Sequence, residues 1–168
     1  MAVVSLRDPG SPQRYFTRFD ESVYRTDAAG NFDIVLRGEH EGEGGPGDKV
    51  VELVHLHAFW KPIPGTSFAE RSMINARVKY LILTGDTAIL YEGAGFATFR
   101  FNRRTQRLTG RLEAAQLTPT RRRGPARDLF GAAQLQGTFS ASRDDRRALQ
   151  RINDMTRLVT PPAPTPGP

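Results

Sequence analysis

The sequence predicts an all-β fold, an antiparallel β-barrel or sandwich of about eight strands, with one amphipathic α-helix near its C-terminal end. Three observations predict it. From Tyr15 to Phe139, apolar and polar residues alternate with the period of two that sends successive side chains to opposite faces of a sheet. Clusters of glycine, proline, asparagine and aspartate interrupt that alternation at short intervals, as in a chain that turns back repeatedly. Helical spacing is found in one place, after Ser142.

The first hairpin joins the 15–25 stretch to a strand with Phe32, Ile34 and Leu36 on one face and Asp33 and Arg37 on the other, through the turn residues Asp27 to Asn31. Residues 39–48 hold four acids and four glycines with no lysine or arginine, which reads as a solvated loop. Lys49 to Trp60 is apolar on both faces, as a central strand covered on both sides would be. Pro62 and Pro64 then stop the ladder. Ile74, Ala76, Val78, Tyr80 and Ile82 share one face of the next strand, with Asn75, Arg77 and Lys79 on the other. Gly85-Asp86 ends it, and Thr87 to Tyr91, Gly95 to Phe101, Arg107 to Leu117 and Ala132 to Ser140 follow as strands. Gly93 and Gly95 mark a bulge or tight bend. Residues 119–128 read as an arginine-rich loop.

The helix is expected over 142–159. Ser142 is its cap, Asp144 and Asp145 suit its positive end, and Ala148, Leu149, Ile152, Met155 and Val159 form one stripe. The Thr84-Gly85 turn with Glu92-Gly93-Ala94-Gly95 resembles the glycine-rich turn and strand of allene oxide cyclase and dirigent-type β-barrels. That resemblance spans about a dozen residues, implies a barrel, and transfers neither residues nor activity.

With 168 residues, 38% of them hydrophobic and 25% charged, the chain has the size and composition of one domain: a flexible N-terminus over 1–13, the domain over 14–159, and a disordered proline-rich tail over 160–168. Having no cysteine, it makes no disulfide and does no thiol chemistry. No apolar run approaches the roughly 20 residues of a membrane helix, and the expected location is cytoplasmic. A thin core makes a homo-oligomer one way of covering a sheet face.

The net charge of +6 is unevenly placed. Residues 100–127 carry nine arginines against the single acid Glu113. Such a cluster, with Arg103, Arg104, Arg107, Arg121, Arg122, Arg123 and Arg127 as the named contacts, is suited to nucleic acid or to an acidic partner surface. Phe96, Phe99 and Phe101 interleave with it, but alternation turns Phe99 and Phe101 inward.

His55-Leu56-His57 is the most specific motif. Positions i and i+2 of a strand share a face, so both imidazoles can converge on one metal, as in cupin-type barrels. The acid that a cupin pattern places three or four residues later is missing, since Ala58 to Lys61 contains none, and the only other histidine is His40 in the acidic loop. Two histidines packed or hydrogen-bonded in a barrel wall are therefore the favoured reading. Glu52, Glu70, Glu92 and Glu113 fall in or beside strands, and one reaching the interior would be a candidate acid or base. No nucleophile elbow, phosphate loop or dinucleotide fingerprint is present.

Three functions follow as expectations. The first is a non-enzymatic binding or assembly protein whose barrel mouth, lined by Trp60, Phe68, Tyr80 and Phe96, accepts an apolar small molecule or protein segment without a cofactor. The second is nucleic-acid binding through the arginines. The third is a metal-dependent enzyme using His55 and His57.

Overall fold

The alternation read along the chain becomes a single hydrogen-bonded sheet. The computed structural model describes residues 1–7, 12–42, 49–59 and 74–159. Its elements are β1 (Ala2–Ser5), β2 (Arg14–Phe16), β3 (Glu21–Thr26), β4 (Phe32–Glu41), β5 (Lys49–Ala58), β6 (Ala76–Thr84), β7 (Thr87–Gly95), β8 (Ala97–Asn102), β9 (Arg107–Arg123), β10 (Ala133–Arg143) and α1 (Asp145–Val159).

The strands run in the order β2-β1-β10-β3-β4-β5-β6-β7-β9-β8, and β9 also pairs with β10, so the sheet closes into a ring. From β3 to β7, neighbours in the ring are neighbours in sequence. Two edges are shared. β7 lies along the 116–123 half of β9 and β8 along the 107–112 half. On β10, β1 pairs with residues 133–136 while β3 pairs with Ser142 and Arg143.

One face of every ring strand points inward. Phe32, Ile34 and Leu36 of β4, Val54 and Leu56 of β5, Val78 and Tyr80 of β6, Leu108 and Leu112 of β9, and Leu135 and Phe139 of β10 fill the interior in one cluster. A second, smaller cluster lies outside the ring. There Val35, Leu53, Leu81 and Leu90 meet Ala148, Met155 and Val159 of α1. This explains why Lys49–Ala58 is apolar on both faces: one faces the interior and the other the helix side.

Several expectations need correction. Ten strands are described rather than about eight, because the 15–25 stretch divides into β2 and β3 and because Ala2–Ser5, read as a flexible end, pairs with β10 and buries Val3. The sheet is not wholly antiparallel, since β10 meets β3 in parallel. Residues 119–123 belong to β9 rather than to a loop, and Glu39 to Glu41 continue β4 opposite Lys49 to Val51. Ser142 is the last-but-one residue of β10, and Asp144 caps α1, its Oδ1 accepting from the Arg147 amide at 2.9 Å. Leu149, placed on the buried stripe, is 44% exposed. Pro62 and Pro64 lie outside the described residues.

Asn75 is fully buried rather than facing outward. Its amide donates to the Ala97 carbonyl and its Oδ1 accepts from the Ala97 amide, both at 2.7 Å. It thus takes the part of a backbone partner where the chain passes from β7 to β8. The glycines expected at a bend serve close approach instead. A Cβ on Gly93 would stand 1.7 Å from the Gln116 carbonyl oxygen of β9, and the register shift between β7 and β9 falls at Leu90/Tyr91.

Candidate metal centre

The outer face of β5 carries His55 and His57 two residues apart, beyond the part covered by α1. Register places His57 opposite Asp33 of β4, and His55 opposite Val35. Asp33 therefore reaches both rings. Its Oδ1 lies 2.8 Å from His57 Nδ1 and 3.0 Å from His55 Nε2, while its Oδ2 lies 3.2 Å from Arg25 Nε of β3. One ligand atom from each of Asp33, His55 and His57 fits within a 4.8 Å span.

The cluster is sheltered but reachable. The His55 and Asp33 side chains are 12% exposed and that of His57 is 31% exposed. Burial pushes the Asp33 carboxyl up, but hydrogen bonds from His55 and His57, together with the charge of those rings, outweigh it and hold the group at about 2. It is thus ionised at neutral pH, as a metal ligand must be. Phe59 lies beside His57, ring centroids 6.4 Å apart, and Arg77 of β6 stands opposite His57 in register.

Inside the ring there is a second polar group. Glu52 points inward and is 7% exposed, with the Tyr80 hydroxyl donating to its Oε1. Its Oε2 is buried without a hydrogen-bond partner, 3.8 Å from His40 Nδ1. Burial first, and the Glu52 charge second, raise the Tyr80 phenol well above the ordinary tyrosine value. Tyr91 behaves alike, raised by burial and by the hydrogen bond it donates to Asp128 at 2.7 Å. Of the glutamates singled out by sequence, Glu52 is the one that reaches the interior; Glu92 and Glu113 sit on the outer wall near Lys79 and Arg111, and Glu70 lies outside the described residues.

No family model, curated protein or solved structure matches this chain. The residues themselves must carry the reading.

Of the expected mouth residues, Trp60 and Phe68 lie outside the described residues. Tyr80 is core, its ring packed against Tyr91 and Phe130. Phe96 is half-buried at the β7–β8 break. The arginines divide into two groups. Arg103 and Arg104 sit at the β8–β9 hairpin tip with Arg107 beside them, whereas Arg121, Arg122 and Arg123 are at the far end of β9, about 45 Å away along the strand. Some are also engaged: Arg107 donates to Ser140 at 2.7 Å, and Arg122 stands 3.2 Å from Asp128. No helix among the described residues is long and apolar enough to cross a membrane.

Asp33 is the residue that sequence reasoning missed. A cupin pattern places its acid after the second histidine, whereas here the acid stands 24 positions before His57, on the neighbouring strand. The available signal was Asp33 lying on the outward face of the hairpin strand that precedes the histidines.

Proposed function

We propose that this protein binds a divalent first-row transition metal on the outer wall of its ring, through Asp33, His55 and His57. The observation that carries this reading is the convergence of two imidazoles and one ionised carboxylate, from two paired strands, within 4.8 Å. Two histidines and a carboxylate form a donor set used by zinc and by non-haem iron(II). Three protein ligands leave further coordination positions to water or substrate, the arrangement of catalytic rather than structural zinc. An ion bound there would supply Lewis-acid chemistry. Arg25, whose Nε stands 3.2 Å from Asp33 Oδ2 as an ion pair, would hold the carboxylate in place by its charge.

The ring nitrogens facing Asp33 have donor and acceptor roles that depend on tautomer. Metal binding requires the lone pairs of these nitrogens, so a ring that donates to Asp33 would bind the ion in its other tautomer.

Titration of the chelator-treated protein with Co2+ tests the reading, because a cobalt ion held by nitrogen and oxygen donors gains visible absorption. A one-to-one endpoint that weakens at least tenfold in Asp33→Asn and in His57→Ala supports it. A spectrum identical to free Co2+, or an endpoint unaffected by both substitutions, removes it.

A further inference from the structure

Two cavities adjoin the segment Arg127 to Leu129, far along the chain from the metal ligands. One, of about 200 Å3, is walled by Ile82, Ile89, Tyr91, Pro125, Ala126 and Leu129 and is largely apolar. The other, of about 380 Å3, is polar and is lined by Ser5, Arg7, Gln13 and Tyr15, with Asp128 in its wall. Arg127 and Leu129 line both, so the cavities are adjacent.

Among the described residues that line these cavities, the charges without a partner are positive. Asp128 is spent: its Oδ1 accepts from the Tyr91 hydroxyl and from the Phe130 and Gly131 amides, and its Oδ2 faces Arg122. The side chains of Arg7 and Arg127 have no hydrogen-bond or ion-pair partner among the described residues. Two arginines without a partner among the described residues thus line one cavity, where planar forks suit a carboxylate. Beside them lies the apolar chamber, and Leu129, which lines both cavities, is half exposed. The polar cavity by itself is of the size of small-ligand sites, and the smaller apolar one adjoins it.

We propose that the paired cavities form a binding site for a small amphipathic carboxylate, its anionic head between Arg7 and Arg127 and its apolar part in the chamber of Ile82, Ile89, Tyr91 and Pro125. The site is independent of the metal ligands.

Octanoate, octanol and inorganic phosphate serve as probes in calorimetric titration of the full chain. Octanoate is expected to bind at one equivalent, with octanol and phosphate each at least tenfold weaker, because each satisfies one half of the site. Arg127→Ala and Arg7→Ala are each expected to weaken octanoate at least fivefold while leaving octanol unchanged, and circular dichroism establishes that both variants fold. Equal binding of octanoate and octanol, octanoate binding no tighter than phosphate, affinity untouched by both arginine substitutions, or no octanoate binding would each overturn the proposal. If either variant is unfolded, Arg127→Gln and Arg7→Gln replace it in the same comparison.

Discussion

Glu21 of β3 accepts both arms of the Arg151 guanidinium, at 2.9 Å from Nε and 3.0 Å from Nη2, across 130 positions of sequence. Arg147, one helical turn earlier, donates to the same carboxylate at 2.7 Å. This pairing fixes the helix to the wall beyond what apolar contact supplies. The Arg151 hydrogen bond, against an opposing effect of burial, holds the Glu21 carboxyl at about 2. A depressed carboxylate contributes stability above its unfolded value near 4.3 and loses it as pH falls toward 2. Glu21→Gln should cost about 1–2 kcal/mol at pH 7 after solvent screening, and urea unfolding at pH 7 and pH 3 should show the difference from wild type shrinking at the lower pH.

Alkaline titration probes the interior. Among the four tyrosines, Tyr80 and Tyr91 are held protonated by burial and by Glu52 and Asp128. For a group whose folded value is raised, stability is full below its unfolded value near 10 and is lost as pH rises beyond it. Ultraviolet titration should therefore show these two tyrosines ionising only together with loss of the native circular dichroism. A smooth ionisation of all four near pH 10 in folded protein would contradict the assignment.

Asn75→Ala should destabilise by about 2–4 kcal/mol. Both the amide and the carbonyl of Ala97 would be left buried without the partners that the side chain now provides. Thermal unfolding measures the loss, and Asn75→Asp should recover only the bond from the Ala97 amide.

The helix offers a paired comparison. Met155 is buried against the outer wall whereas Leu149 is 44% exposed. Met155→Ala is expected to cost about 2–4 kcal/mol and Leu149→Ala less than about 0.5 kcal/mol by denaturant unfolding. Similar costs would mean that the helix sits in a different rotation.

Local chemistry was legible in the sequence, whereas contacts across the sheet were not. Alternation identified the inward set of Phe32, Ile34 and Leu36, and the helix was legible because its period changes. Asn75 read as outward because alternation assigns a face but says nothing of a residue just before a strand. Arg121 to Arg123 read as a loop because a run of one charge resembles solvated chain, although backbone pairing with β7 is indifferent to it. Asp33 escaped because pairing register is a tertiary property: nothing near His55 or His57 in sequence indicates which strand lies beside them or which of its residues faces them.

The parallel seam between β10 and β3 has a consequence for biosynthesis. Residues 23–24 wait for residues 142–143, so during translation the edge of β3 stays unpaired until nearly all of the strands have left the ribosome. Throughout that interval an apolar face and an open strand edge are presented together, the combination that recruits chaperones and seeds intermolecular pairing. The helix that covers the other face follows two residues after the seam. Emergence of this one stretch of chain therefore ends both exposures, and a synthesis pause placed just ahead of it would lengthen the period of greatest risk for the nascent protein.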